Sequence, residues 1–418
     1  LRSDSDIVDS FDLLVVALTA QYYIEVRRGE HGPDARRHWD GRFENTRPGK
    51  LGITFYCLGV SARRLILIGL VGGRFLGPRP RRQRPASKVF NNPIQELHMV
   101  RIIGNIKPED DYTHELGPEP NFNESVYFNF FDPVQNRGGF VRIGNRANEG
   151  YAEMTVIVWN PDGSAYFNYK KPEITHNDAW NAGGLSIEIL TPAEKVRTRY
   201  EGSALLMADP MQMQDPGQAF KNNPRETLVI DLEHEAVGPL YGHVGEPGDG
   251  NEFARSHTEQ HMKVQGHLTL GAGDPIAFSG WGLRDHSWGP RFWQATPSYR
   301  WLTGNFGDDL GMVITTNGEG AGRGLFQQGD ALVRIESAQI TTDYRPDSLF
   351  HERLLVDCTL EDGSQRQITG QVMGYIPLRN RRGGQNTHVG EGMTRYTLDD
   401  GRVGYGLSEY LTQPPEAT

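Results

Sequence analysis

Residues 280–293 hold Arg284, Asp285, His286 and Arg291 together with Trp281, Trp288 and Trp293, bounded by glycine and proline. No other stretch of the chain mixes ionisable and aromatic side chains so densely. A carboxylic acid against aromatic walls has its charged form disfavoured by desolvation, so it can hold a proton and pass it to an alkene or a leaving hydroxyl. The neighbouring imidazole would be the complementary base or would orient the acid. Tryptophan faces near them could stabilise a carbocation through their quadrupoles. On this reading Asp285 and His286 are the catalytic pair. Trp281, Arg284, Trp288, Arg291 and Trp293 would bind substrate, joined by Glu259 and Gln260 at the mouth of the preceding strand. The plainer alternative is that Asp285 pairs with Arg284 or Arg291 while the tryptophans close the end of a barrel.

Strand geometry constrains this set. In an extended chain successive side chains face opposite ways. Asp285 then shares a face with Leu283 and Ser287, and His286 shares the other with Arg284 and Trp288. Both reach one cavity only if the chain turns here, and Gly289-Pro290 is where a turn is expected. His257, His261 and His267 precede the stretch at spacings that match no metal motif, so no metal is expected and hydrogen-bonding or surface roles are assigned to them. The glycines of 318–324 lie between strands with no βαβ context and read as a loop. No G-x-S-x-G elbow, phosphate-binding loop or H-E-x-x-H run occurs. No cofactor is expected.

The elements that would position these residues are strands. With 50 Gly and 25 Pro in 418 residues, turns are frequent and long helices disfavoured. Alternating segments 151–160 and 164–169 flank the turn 160–163, with Asp162-Gly163 as its hairpin signal. Segments 261–270 and 275–279, 299–306 and 311–316, 354–360 and 365–372, and 394–398 and 403–407 repeat the pattern. Residues 99–133 read as irregular and acidic, and 210–224 as a loop or short helix. The Gly/Pro-rich run 237–251 marks a domain boundary. The chain is therefore all-β, with two antiparallel barrels or sandwiches over 99–250 and 251–418.

Residues 1–98 differ in character, with 16 Lys and Arg against 10 Asp and Glu, while the remainder has 27 against 43. They are expected to be an irregular N-terminal extension, non-native or disordered, although 11–26 could form an apolar helix. No stretch is long and apolar enough for a spanning helix, so stable membrane insertion is not expected. The net charge of −10 argues against nucleic-acid binding through phosphate neutralisation. Two cysteines provide no disulfide framework. The expected location is cytoplasmic.

Arg284-Asp285-His286-Ser287-Trp288-Gly289 resembles the Asp-His-Asn-Trp-Gly segment of the carotenoid 1,2-hydratases, or hydroxyneurosporene synthases. With Glu259-Gln260 upstream and Gly289-Pro290-Arg291-x-Trp293 downstream, it looks closest to bacterial members of that superfamily with no characterised function. Ser287 departs from the usual Asn. The resemblance implies two tandem lipocalin-like β-barrels, a cavity for a lipophilic small molecule, and cofactor-free addition of water to a double bond. The expected function is that of a hydratase or dehydratase on an unsaturated terpenoid, lipid or polyketide. The alternatives are a non-catalytic carrier, an isomerase or cyclase, and a hydrolase, which would need a second carboxylate across the cavity from Asp285.

Overall fold

The computed structural model describes residues 100–246, 253, 255–318, 321–382 and 384–413, with the backbone of two earlier strands, β1 (Thr54–Cys57) and β2 (Leu67–Leu70). The chain divides into two units, Leu1–Glu96 and Leu97–Thr418. In the first, β1 and β2 pair antiparallel. The expectations for residues 1–98 otherwise lie outside the described residues.

The second unit begins with β3 (Ile102–Gly104), β4 (Phe122–Asp132), β5 (Arg137–Arg146), β6 (Tyr151–Trp159) and β7 (Ala165–Lys170). Next come β8 (Trp180–Ala182), β9 (Leu185–Thr191), β10 (Lys195–Met207) and the short helix α1 (Pro216–Asn222). The helix is capped by the Asp215 carboxylate, which accepts from Gln218 N at 3.2 Å. The first sheet is completed by β11 (Arg225–Ala236), β12 (Leu240–His243), β13 (Ser256–Leu270) and β14 (Ile276–Pro290). Its ladders run β4-β5-β6-β7-β10-β11-β13-β14 and return from β14 to β4, so these strands close a ring with no free edge among them. The strands β15 (Ser298–Asn305), β16 (Leu310–Asn317), β17 (Gly322–Gln328), β18 (Ala331–Tyr344), β19 (His351–Leu360), β20 (Gln365–Arg382), β21 (Gln385–Leu398) and β22 (Val403–Thr412) form a second closed barrel. The tandem all-β architecture expected from the turn spacing is present.

The domain boundary falls elsewhere than expected. β13 pairs with β11, and β14 with β4, so the reactive stretch completes the first barrel instead of opening the second. The barrels divide between Pro290 and Ser298. The Gly/Pro-rich run 237–251 lies between two strands of the first barrel, β11 and β13, and its described part carries β12 beside β13. Turn chemistry marks a break in pairing, and it cannot distinguish a crossing inside one barrel from a linker between two.

The segment 99–133, expected to be irregular, contains β4, every residue of which is buried. Val126, Phe128 and Phe130 point into the first core with Ile143, Met154 and Val264. Tyr127 and Phe131 point outward and pack with Phe140 and Trp159 against Ile376, Met393 and Leu407 of the second barrel. Each such side chain removed from water contributes ~1.5–3 kcal/mol, so the outer face of β4 is a second core that joins the barrels. Polar pins fix its register. Asn129 accepts from Leu283 N at 3.0 Å and donates to Thr303 Oγ1 at 3.2 Å, which in turn accepts from Leu407 N.

Candidate active site

On β14 the alternation holds through its whole length. Leu283 and Asp285 face the second barrel, while Arg284, His286 and Trp288 face the first-barrel side. Gly289 takes φ +118, a conformation that a Cβ would strain, yet the strand stays paired with β4 through Gly289 and Pro290. The turn expected at Gly289-Pro290 is therefore absent, both residues being part of β14, and Asp285 and His286 stay on opposite faces.

Asp285 finds a different imidazole. In the β13–β14 register Glu259 stands opposite Asp285, so His257 is its diagonal neighbour on the same face. His257 Nε2 is hydrogen-bonded to Asp285 Oδ2. Burial alone would lower the imidazole pKa, but the Asp285 charge and hydrogen bond outweigh it and push His257 up to about 9. At neutral pH His257 is thus an imidazolium held against Asp285. Glu259 lies behind it, only 7 % exposed, and its Oε1 accepts from Trp301 Nε1 at 2.8 Å. Burial and the nearby Asp285 carboxylate raise the Glu259 pKa against the opposing pull of His257.

His257 and Asp285 open onto a cavity of about 1200 Å³ between the first sheet and the second barrel. Tyr127, Phe140, Phe167, Trp293 and Trp301 supply aromatic wall. The second barrel contributes an acidic patch. Glu391 and Glu409 are direct cross-strand partners on β21 and β22, and both line the cavity. Tyr299 Oη donates to Glu409 Oε1. Burial, followed by the charge of the neighbouring carboxylate, raises the Glu391 pKa well above the usual range. Burial also raises Glu409. Two carboxylates this close in a desolvated wall cannot both ionise, so the pair keeps a proton. Glu391 Oε2 is buried without a hydrogen-bond partner among the described residues.

The inner face of β14 holds an equally dense cluster, used differently. Arg284 Nη1 donates to Asp111 Oδ1 at 2.6 Å and Nε to Gln260 Oε1 at 2.9 Å. Gln260 spends its amide N–H groups on the carbonyls of Ala193 and Gly238. His286 Nε2 lies 2.5 Å from Glu124 Oε1, and His114 Nδ1 lies 3.0 Å from the same oxygen. The other oxygen, Glu124 Oε2, accepts from His114 N and Asn177 Nδ2. Burial would raise the Glu124 pKa, but the bonds from His114 and His286 hold it down at about 2. Trp288 stacks on His114 with ring centroids 4.0 Å apart, and Trp180 meets His286 edge-on.

Of the residues singled out in the sequence, Asp285, Arg291 and Trp293 line the cavity, and Glu259 supports it from behind. Arg284, His286, Trp288 and Gln260 belong to the inner network and lie outside the cavity lining, which corrects the pairing of His286 with Asp285. Trp281 sits at the far side, its Nε1 donating to Asp308 Oδ1 at 2.6 Å. His257, Glu391, Glu409 and Tyr299 were not singled out as site residues. The two glutamates did carry a signal: each interrupts an apolar stripe, between Val389 and Met393 and between Leu407 and Leu411.

Two trios could in principle hold a cation, since His257, Glu259 and Asp285, and likewise His114, Glu124 and His286, bring three ligand atoms within 4.8 Å of one another. At Glu124 both oxygens already accept two hydrogen bonds each, so an ion there would have to displace N–H donors. Among the described residues no helix is long and apolar enough to cross a membrane.

The fold is similar to that of several solved structures. An AttH-type protein of Nitrosomonas europaea aligns with TM-score 0.47 at 12 % identity, over 72 % of this chain and 97 % of that one. Kievitone hydratase of Nectria haematococca aligns with TM-score 0.46 at 14 % identity, over 69 % and 89 %. The protein CghA aligns with TM-score 0.43 at 11 % identity, over 72 % and 90 %. No curated protein matches the chain in sequence. A family model described as a domain of unknown function, DUF7064, matches residues 107–414, which span both barrels and every cavity residue named above. The chain belongs to the DUF7064 family.

Proposed function

We propose that the cavity between the barrels carries out acid–base addition or removal of water on an unsaturated, largely apolar small molecule. The observation that carries this reading is the His257–Asp285 pair opening onto an aromatic-walled cavity that is also lined by Glu391 and Glu409 of the second barrel. Hydration of a double bond needs a proton delivered to one carbon and a proton removed from the water that attacks the other. A carboxylic acid kept neutral by burial and by a second carboxylate is suited to the first task. Asp285, held by His257, is suited to the second. In the dehydration direction the roles exchange. Trp301 and Tyr127 line the cavity, where their rings would stabilise positive charge developing on the substrate.

The sequence alone points to Asp285 as proton donor, with His286 as base or as the group that orients it. In the proposed arrangement Asp285 keeps an acid–base role, and its partner becomes His257. The second carboxylate that a hydrolase would need is present as Glu391 and Glu409, so hydrolysis stands as the second reading. Co-purified small molecules, identified by mass spectrometry and incubated with the protein in ¹⁸O-labelled water, separate the alternatives. Hydration is expected to add one labelled water to the molecule, hydrolysis to split it, and isomerisation or cyclisation to leave its mass unchanged. Asp285→Asn is expected to slow turnover by a factor on the order of a hundred or more. Full activity in that variant would overturn the assignment, and ligand binding without any turnover would establish a carrier.

A further inference from the structure

One end of the cavity carries more guanidinium groups than carboxylates. Arg142, Arg146, Arg291 and Arg382 all line it, against Glu149 and Glu153 at the same end. Glu149 pairs with Arg146 at 2.8 Å and with Arg382 at 2.6 Å, and Glu153 pairs with Arg142 at 3.3 Å. Among the described residues, no carboxylate lies within ion-pair distance of Arg291. Arg291 spends one N–H on Ser287 Oγ at 2.7 Å and lays its guanidinium 4.5 Å from the centroid of the Phe253 ring. Arg142 and Arg291 both lie against the Trp293 indole, 5.7 Å and 5.4 Å from its ring centroid. Arg142 Nη2 is buried with no hydrogen-bond partner among the described residues. Burial, then repulsion from Arg142, brings the Arg291 pKa down to about 10, against a smaller opposing pull from Tyr299 and Asp285.

We infer that the cavity's ligand is a monoanionic amphiphile, an unsaturated apolar body bearing a carboxylate or an equally acidic enol, with its head between Arg291 and Arg142. The inference rests on the acid–base reading of the same cavity and names its substrate class. Planar guanidinium forks match a carboxylate or enolate edge, and the excess of positive charge at this end calls for an anion. With the head fixed there, the apolar body lies along the Trp293 and Trp301 rings toward Asp285 and the Glu391–Glu409 pair. A carboxylated substrate thus reaches the acid groups in one orientation, whereas a neutral hydrocarbon would have nothing to hold its direction.

The test is an equilibrium binding measurement by calorimetry, with undecylenate and undecylenyl alcohol as probes below their aggregation limits. They share an unsaturated chain and differ only in the head. The intact protein is expected to bind the acid at least about tenfold more tightly than the alcohol. Arg291→Gln is expected to bring the two affinities within about twofold while leaving that for the alcohol unchanged, and Arg291→Lys to retain part of the preference. Should Arg291→Gln fail to fold by circular dichroism, Arg142→Gln and the preference of the intact protein provide the same information. Equal affinities in the intact protein, no binding of either probe, or a preference that survives in folded Arg291→Gln would overturn the inference. Turnover plays no part in the measurement. An inert cavity would leave head-group selectivity standing, and loss of selectivity would leave the acid–base reading standing.

Discussion

The two faces of β14 carry the same ingredients to different ends. On the outer face His257 and Asp285 form a pair that opens onto a cavity. On the inner face His286 and His114 converge on a Glu124 that is 0 % exposed and whose oxygens are fully occupied by N–H donors. A histidine–carboxylate pair can exchange protons with a ligand only where a ligand can reach it. Where none can, the same charges serve as an internal tie, stabilising only so long as every lone pair remains satisfied. Side-chain chemistry therefore proposes both faces of the strand as sites, and accessibility chooses between them.

The largest expected effect tests the inner face. Glu124→Gln removes the charge on which two imidazoles converge and leaves N–H donors competing for one amide oxygen. Breaking a buried ionic contact from one side costs about 3–5 kcal/mol, read as a lower midpoint in chemical denaturation. Asp285→Asn on the outer face is expected to cost less than Glu124→Gln, because His257 can lose its proton and the cavity can admit water. Its effect belongs to turnover. Equal destabilisation by both substitutions would show that the faces do not differ in this way.

Acid and base separate the faces a second time. His257 has a folded pKa of about 9, above the ordinary imidazole value of ~6.5. Its contribution to stability is therefore fully present below pH ~6.5 and is lost as pH rises through about 9. Glu124 has a folded pKa of about 2, below the ordinary carboxylate value, so its contribution is present above pH ~4.5 and is lost as pH falls toward 2. Denaturation midpoints measured across pH are expected to weaken at both ends. Asp285→Asn should flatten only the alkaline limb, and Glu124→Gln only the acid limb. An alkaline limb unchanged in Asp285→Asn would remove His257–Asp285 as its cause.

Much of the architecture was legible in the sequence because hairpins write themselves locally. Asp162-Gly163 and the turns before Gln365 and Val403 sit between strands that alternate, and all of these pairs form. β4 was not legible, since Phe122–Asp132 is buried on both faces and so loses the alternation that marks a half-exposed strand. That omission concealed the partner of β14, and with it Glu124 and Tyr127. The opposition of Asp285 and His286 followed from the two-residue period alone. The partnership of Asp285 with His257 did not, because it depends on the register between β13 and β14, which the sequence leaves open. Glu391 and Glu409 meet for the same reason, by register between β21 and β22.

The smallest expected effect lies just behind the cavity. Trp301 Nε1 donates to Glu259 Oε1, and its ring meets Tyr127 edge-on at 5.5 Å. Trp301→Phe keeps an aromatic face toward the cavity and removes the donor. Loss of one such bond costs about 1 kcal/mol, and for a chain of this size the thermal midpoint is expected to fall by about 1–2 °C. The consequence for the site is indirect. The Trp301 bond lowers the Glu259 pKa against the larger effect of burial, so its removal favours the neutral acid beside Asp285. A neutral Glu259 exerts less pull on the imidazolium, and His257, whose pKa the Glu259 charge helps to raise, should titrate slightly lower. Titrating the His257 ring protons by NMR in Trp301→Phe is expected to show that downward displacement. An upward displacement, or none, would mean that Glu259 is coupled to the outer face by packing alone.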